Sequence, residues 1–209
     1  MRIRGVVIFF AAAVLVAAFL HAQSANPPSP AGDWPMYNRD LRGTRHSPLT
    51  QITPANVSRL RQVWSFKVGK DQTSGGITGG SEYTPIVIDG MMYVLTADSA
   101  YGLDAETGTT VWHYPVEGGV PSRRGMGHWS GPKADPRVYF TSGRRLIALD
   151  ARTGVPAAGF GTAGIVDLER QYNGTVTVYR DLLLVGTNAA PGAVRAFDAR
   201  TGEIGRAHV

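Results

Sequence analysis

The 209-residue chain contains no cysteine. It therefore has no disulfide framework, no thiolate metal site and no thiol to which the lipid of a lipoprotein could be attached. The chain also lacks a strong excess of either charge. It has 21 basic and 16 acidic residues, and the net charge of +5 is spread along the sequence. This pattern lacks the basic arm or stripe of nucleic-acid-binding proteins, so we expect no nucleic-acid partner.

Long hydrophobic runs are absent except near the N-terminus. There, Arg2 and Arg4 precede an uncharged apolar stretch at residues 5–20, and the small residues Ala22 and Ala25 follow it. This order is typical of a secretory signal peptide, and the run is short for a membrane span, which needs about 20 residues. We predict a signal peptide at 1–25 and export, with an uncleaved membrane anchor as the alternative. The Pro-rich residues 26–32 form a linker.

A seven-residue motif occurs three times in the rest of the chain. The copies are GLDAETG (102–108), ALDARTG (148–154) and AFDARTG (196–202), and their aspartates lie 46 and 48 residues apart. A period in the forties is typical of four-stranded propeller blades or of helical pairs. Runs rich in Val, Ile, Tyr and Thr lie between the copies, around the turn pairs Asp89-Gly90, Ser142-Gly143 and Arg180-Asp181. Strands therefore predominate, and we predict an all-β, β-propeller fold.

The motif itself predicts a turn between strands. Its Asp can accept hydrogen bonds from backbone N–H groups just downstream, and its Gly can adopt the positive φ that closes the turn. Asp150 and Asp198 are accordingly interpreted as turn residues without a catalytic role. Trp112 begins the strand after the first copy and is expected to pack against the neighbouring blade. Only residues 52–64 predict a helix, with Thr53 as the N-cap and Pro54 at the first helical position.

The third copy continues differently from the first. It is followed by EIGRAHV (203–209), which matches the translation of a common sequencing-library adapter, and we predict that this tail is not native. Residues 33–202 then hold about three blades, whereas propellers close with about 4–8. We therefore interpret the domain as a partial propeller and expect this chain alone to be inactive as an enzyme.

Several segments together resemble one family. They are DWPMYNRDLRGTRHSPLTQITPANVSRLRQVWSF (33–66), SEYTPIVIDGMMYV (81–94), PSRRGMGHW (121–129) and the repeated turn with its tryptophan. Residues 33–202 resemble the pyrroloquinoline quinone (PQQ)-dependent dehydrogenases, periplasmic quinoproteins with an eight-bladed propeller. The branch that looks most similar is that of glucose dehydrogenase and its relatives.

The resemblance implies oxidation of an alcohol or sugar hydroxyl by hydride transfer to PQQ. In the family, Ca²⁺ polarises the quinone carbonyl, an Asp takes the hydroxyl proton, and electrons leave to a quinone or a cytochrome. The resemblance also implies four cofactor-binding positions in this sequence: Glu82, Arg124, Asn173 and Thr187. We expect the catalytic Asp and the Ca²⁺ ligands to lie outside this chain, and a membrane contact only through an uncleaved signal or further regions.

Arg124 is the best supported of these positions. A guanidinium stays charged when it is desolvated and suits the carboxylates of PQQ, and the following Gly lets the backbone approach a flat ligand. His128 and Trp129 flank the same predicted cavity, although His128 is as readily interpreted as structural. Val120-Pro121-Ser122 stand where alcohol-oxidising members carry adjacent cysteines, which favours the glucose branch.

Two other functions remain open from the sequence. A non-catalytic quinoprotein-like propeller that serves as a protein-binding scaffold would share the blade repeat without needing the Arg-Gly segment. Such scaffolds are commonly lipoproteins, and this chain has no Cys. A carbohydrate-binding propeller without redox chemistry is the third hypothesis.

Overall fold

The computed structural model describes residues 30–67, 83–131, 135–187 and 192–208. Its regular structure is almost entirely β. Within these residues, twelve strands form three four-stranded sheets, and in each sheet the strands pair antiparallel in chain order. Consecutive strands that meander in this way, repeated at a constant period, are the blades of a propeller. The all-β propeller prediction and the count of about three blades are therefore confirmed.

Blade 1 contains β1 (Ile86–Ile88), β2 (Met91–Leu95), β3 (Ser99–Asp104) and β4 (Thr110–Pro115). Blade 2 contains β5 (Gly127–Trp129), β6 (Arg137–Ser142), β7 (Arg145–Asp150) and β8 (Ile165–Asp167). Blade 3 contains β9 (Thr177–Tyr179), β10 (Leu182–Gly186), β11 (Val194–Asp198) and β12 (Ile204–His208). The first strands of blades 2 and 3, β5 and β9, contact each other, so they lie on the axial side.

Each repeated motif forms the turn between the third and fourth strands of its blade. In the second copy, Asp150 Oδ1 accepts hydrogen bonds from the N–H groups of Arg152 and Thr153 at 3.0 and 2.8 Å. The Gly154 N–H donates to the Asp150 carbonyl at 2.9 Å, and Gly154 has a φ of +70°. The same Asp contacts recur in the other two copies. The predicted turn chemistry is confirmed.

Hydrogen bonding in the first copy also affects its charge state. The Thr107 hydroxyl and N–H both donate to Asp104 Oδ1, at 2.8 and 2.7 Å. These donors stabilise the carboxylate and hold the pKa of Asp104 below its usual value. The turn is therefore built on an ionised aspartate.

The glycine of each turn receives a large side chain from the preceding part of the chain. A Cβ on Gly154 would lie 2.6 Å from Trp112 Cδ2, and the Trp112 indole N–H donates to the Ala151 carbonyl at 2.9 Å. A Cβ on Gly108 would likewise lie 2.6 Å from Trp64 Cδ2. Trp112 thus packs against the neighbouring blade as predicted.

Two hydrophobic clusters hold the blades together, and blade 2 contributes to both. Along β6, Val138 and Phe140 face blade 1, while Tyr139 between them faces blade 3. All six residues of β6 are buried, because this strand lies between two other blades. Alternating side chains on a strand point to opposite faces, so one strand supplies both interfaces.

Two local predictions were wrong. Residues 52–64 contain only a 3₁₀ turn at Val57–Arg59, and the Asn56 side chain at its N-cap makes no capping hydrogen bond. Val57 and Leu60 are 49% and 55% exposed, so the segment buries no apolar face that would stabilise a longer helix. The β6–β7 turn residues are Gly143 and Arg144, one position later than predicted, because Ser142 pairs with Arg145.

The predicted boundaries stand differently. The turns at Asp89-Gly90 and Arg180-Asp181 are found as expected. The signal peptide at 1–25 lies outside the described residues. Strand β12 lies within the tail that we predict to be non-native, and it pairs with β11 through backbone groups that any sequence supplies. The pairing therefore does not test whether the tail is native, and its non-native origin stays a prediction. The described residues contain no helix long and apolar enough to cross a membrane.

Candidate functional site

A cavity of about 1350 Å³ lies along the axial side of the blades. Strands β1, β5 and β9 contribute to its wall, and residues 30–43 close part of its other side. The N-terminal segment is fixed there by Trp34, which pairs with Val87 of β1 through hydrogen bonds of 2.7 and 3.0 Å. Cavities at such a convergence of strands are the usual place for small ligands.

The inner strands of blades 2 and 3 approach each other closely because of one glycine. A Cβ on Gly127 of β5 would lie 2.5 Å from the Val176 carbonyl and 2.9 Å from Val178 Cγ2. Real Cβ atoms do not come this close to a backbone oxygen, so the approach requires glycine here. The result is a continuous wall from β5 to β9.

Arg124 lies next to this wall, in the lining of the cavity. It is exposed, lines the cavity and comes three residues before β5. Its N–H donates to Ser122 Oγ at 3.3 Å, and the Thr175 hydroxyl of the next blade donates to its carbonyl. Gly125 follows with a φ of +101°, and its Cβ position lies 3.0 Å from the Thr84 carbonyl of blade 1. The Arg-Gly segment therefore contacts blades 1 and 3.

His128 and Trp129 both line the cavity but serve different blade interfaces. The His128 ring lies against Tyr93 of blade 1, with centroids 6.2 Å apart, whereas the Trp129 N–H donates to Asp181 Oδ1 of blade 3 at 3.1 Å. Burial lowers the pKa of His128 to about 4. His128 is therefore a neutral imidazole at pH 7.

The three predicted cofactor-binding residues that the structure describes are not gathered at one place. Glu82 lies outside the described residues. Asn173 is exposed and Thr187 is half-buried, and neither belongs to the described residues that line the cavity. The Thr187 N–H donates to the Ala193 carbonyl at 2.9 Å. Of the four positions, the structure places Arg124 in the cavity wall, and the roles of all four remain predictions.

Sequence reasoning missed two threonines of the site. Thr84 and Thr175 both line the cavity, and each stands two residues before the first strand of its blade. Gly125 holds the same offset in blade 2. The sequence therefore contained a signal for these positions, namely a small or hydroxyl residue two positions before the first strand of each blade. The repeated aspartate motif lies at the other end of the blade and does not include it.

The donors beside this wall suit an anionic ligand. The Arg124 guanidinium has paired N–H donors that suit a carboxylate. The space beside Gly125 is filled by the Thr84 carbonyl, so this glycine serves the packing of the blades and not the close approach of a flat ligand that the sequence predicted. The chemistry of this set fits PQQ, which carries three carboxylates and a quinone. Among residues 30–67, 83–131, 135–187 and 192–208 no group of three or more carboxylate or imidazole side chains is arranged to hold a metal ion.

The sheets and their axial cavity define a segment of a ligand-binding β-propeller. Residues 34–205 match the β-propeller domain of the PQQ glucose/ethanol/alcohol dehydrogenases. The chain therefore belongs to the PQQ-dependent dehydrogenase family, whose named members are oxidoreductases acting on alcohols and sugars.

Individual relatives agree with this assignment. The dehydrogenase subunit of alcohol dehydrogenase (quinone) from Gluconobacter oxydans is 34% identical over 83% of this chain and 24% of its own length. Quinoprotein glucose dehydrogenase of Escherichia coli is 30% identical over 82% and 26%. The crystal structure of quinohemoprotein alcohol dehydrogenase from Comamonas testosteroni superposes with a TM-score of 0.68 at 30% identity, covering 91% of this chain and 28% of that one.

The chain spans about a quarter of the length of these relatives. The family resemblance seen in the sequence is confirmed, and the alternative of a protein-binding scaffold finds no support among these relatives. Preference for the glucose dehydrogenase branch stays a prediction, because relatives of the alcohol and glucose branches match at similar identity, 34% and 30%.

Proposed function

We propose that this chain is the N-terminal part of a periplasmic PQQ-dependent dehydrogenase that oxidises a sugar or alcohol hydroxyl. The observation that carries the proposal is the position of Arg124, on an Arg-Gly segment that the starts of three blades hold at the entrance of the axial cavity. Relatives that match most of the chain are named as quinone-dependent alcohol and glucose dehydrogenases, which supports the same chemistry.

In this proposal the chain's own residues build one wall of the cofactor site. Arg124 binds a carboxylate of PQQ. Gly125 and Gly127 let the backbone pack closely against Thr84 of blade 1 and Val176 of blade 3, which shapes this wall. His128 stays neutral and adds no charge beside the cofactor. Bound PQQ supplies a two-electron acceptor that no side chain can provide. Glu82, Asn173 and Thr187 remain candidate contacts at the rim.

Three further parts of the proposal concern what surrounds this wall. We expect Ca²⁺ to accompany PQQ, with ligands and a catalytic Asp from outside this chain. We also expect a quinone or cytochrome as the electron acceptor, as the names of relatives state for an alcohol dehydrogenase (quinone) and a 1-butanol dehydrogenase (cytochrome c). Export would follow from the signal peptide at 1–25, and N-terminal sequencing of the secreted protein would locate the cleavage.

The direct test is an equilibrium titration of the chain with PQQ, followed by the quenching of tryptophan fluorescence. Arg124→Ala should weaken binding at least about tenfold, since a charge-assisted hydrogen bond is worth about 1.5–3 kcal/mol. Arg123→Ala is the matched control, because Arg123 is the adjacent residue and does not belong to the described cavity lining. Equal affinity in the unmodified chain and Arg124→Ala would refute the assignment of Arg124.

A further inference from the structure

A short chain of hydrogen bonds connects the Arg124 segment to blade 3. The Thr175 hydroxyl donates to the Arg124 carbonyl, so a residue just before β9 contacts a loop just before β5. Thr175 is half-buried in the wall of the axial cavity. Its neighbour Gly174 accepts at 3.3 Å from the hydroxyl of Thr141, a fully buried residue of β6.

The other side of the loop is tied to the same strand of blade 2. The buried Ser122 donates its N–H to the Thr141 carbonyl at 2.8 Å, and its Oγ accepts from the Arg124 N–H. Thr141 therefore contacts both the loop that carries Arg124 and the segment that carries Thr175. These bonds form a closed path from Arg124 through Ser122, Thr141, Gly174 and Thr175 back to Arg124.

Within this path, the Ser122 and Thr175 side chains fix the backbone of Arg124. The Ser122 contact holds the N–H of Arg124 and the Thr175 contact holds its carbonyl, so both polar groups of one residue are fixed from different blades. On its other side the loop packs closely on blade 1, since a Cβ on Gly125 would lie 3.0 Å from the Thr84 carbonyl. The Thr175 hydroxyl links the Arg124 carbonyl to blade 3.

We propose that Thr175 is a positioning residue for Arg124: its hydroxyl orients the Arg124 peptide so that the guanidinium is presented to a carboxylate in the axial cavity. This inference rests on the proposed function for its ligand, PQQ, but its geometric part concerns Arg124 alone. It assigns a task to a residue that the sequence motifs did not single out.

The test compares three variants of the chain. Thr175→Val keeps the shape of the side chain and removes the donor, and Thr175→Ser restores the donor. Thr110→Val makes the same change at an exposed residue of β4 that is outside the described cavity lining. Hydrogen–deuterium exchange of the peptide that contains residues 122–126 reports on the loop, and PQQ titration reports on the site.

We expect Thr175→Val to speed exchange of this peptide and to weaken PQQ binding, each by about three- to tenfold, the usual effect of one lost hydrogen bond. Thr175→Ser and Thr110→Val should resemble the unmodified chain in both measurements. A thermal unfolding midpoint shared by the two valine variants would separate positioning from a general loss of stability.

Different failures have different meanings. If the unmodified chain binds PQQ and Thr175→Val alters neither exchange nor affinity, the inference is overturned. It is also overturned if Thr110→Val produces the same changes as Thr175→Val. If no variant binds PQQ while Thr175→Val still speeds exchange of the loop, the proposed function of this chain is left without support and the positioning of the Arg124 peptide by Thr175 stands.

Discussion

The two blade interfaces solve the same packing problem with different side chains. Between blades 1 and 2, the carbonyl that follows the turn aspartate, that of Ala151, accepts from the Trp112 indole at 2.9 Å. Between blades 2 and 3, the equivalent carbonyl of Ala199 accepts from the Tyr139 hydroxyl at 2.6 Å. Each turn presents the same acceptor, and each preceding blade supplies its own donor.

The turn glycines show the same difference. The Trp112 ring covers Gly154, whereas the Cβ position of Gly202 is covered by Val166 Cγ2 at 2.5 Å and Phe160 Cζ at 3.1 Å. At this interface the Arg137 guanidinium also docks on the turn, and it donates to the Arg200 carbonyl at 2.7 Å. The turn is thus the constant part of the interface, and the residues that dock on it vary as long as they fill the space and satisfy the carbonyls.

The largest expected effect tests whether the docked ring is what requires glycine in the turn. Gly154→Ala should destabilise the chain by about 2–5 kcal/mol, because it combines a strained positive φ with a Cβ that overlaps Trp112. Gly90→Ala is the matched control, since Gly90 has a similar φ of +76° with no heavy atom within 4 Å of its Cβ position. It should cost about 1 kcal/mol. Thermal unfolding followed by circular dichroism measures both, and equal losses would show that the ring is irrelevant.

A second prediction concerns the donor that only the interface between blades 2 and 3 contains. The Arg137 side chain is 8% exposed and donates to the carbonyls of Arg200 and Ala158 and to Asp135. Arg137→Met keeps the apolar stem and leaves these partly buried carbonyls without their donor, which should cost about 2–3 kcal/mol.

Arg144→Met is the control for that charge removal. The Arg144–Asp167 ion pair has an N–O distance of 2.8 Å, as does the Arg137–Asp135 pair. Its side chains are 55% and 63% exposed, and exposed ion pairs contribute little to the free energy of unfolding. Chemical denaturation of the two variants should therefore separate them clearly. A loss for Arg144→Met as large as that for Arg137→Met would contradict the role assigned to burial.

These interfaces also show what the sequence could and could not predict. The turns and hairpins were predictable because Asp, Thr and Gly act within a few residues of one another. The contacts of Tyr139 and Arg137 were not predictable from the sequence. Their acceptor, the Ala199 carbonyl, lies about 60 residues away and is brought close only by the packing of adjacent blades. At the site, the Arg-Gly segment could be found from its residue types, whereas the Thr175 contact depends on blade packing. The predicted helix at 52–64 was wrong because the segment has a favourable N-terminal sequence but no hydrophobic core against which a helix could pack.

A third prediction compares two buried tyrosines in the interface between blades 2 and 3. Tyr139→Phe removes the donor to the Ala199 carbonyl and should cost about 1 kcal/mol. Tyr172 is also buried in this cluster, but its hydroxyl has no hydrogen-bond partner among the described residues. Tyr172→Phe should therefore be neutral or slightly stabilising. Paired urea titrations give the two values, and a larger cost for Tyr172→Phe would mean that its hydroxyl has a partner.

The smallest expected effect uses pH to distinguish the two interfaces. Burial lowers the pKa of His128 from 6.5 to about 4, so between these values the unfolded chain binds a proton that the folded chain does not. Stability should therefore fall as the pH drops from 7 to 5, by about 1 kcal/mol once the partial exposure of His128 is allowed for. The His128 contribution should level off below pH 4, where protonation of aspartates with a lowered pKa, such as Asp104, begins to add its own loss.

The position of His128 determines where this acid sensitivity appears. Its ring contacts Tyr93 of blade 1, so exchange protection at pH 5 should weaken between blades 1 and 2 before it weakens between blades 2 and 3. His128→Gln should remove the pH dependence between pH 7 and 5, because an amide does not titrate. If this variant keeps the full pH dependence, another group titrates on unfolding, and the acid response does not distinguish the interfaces.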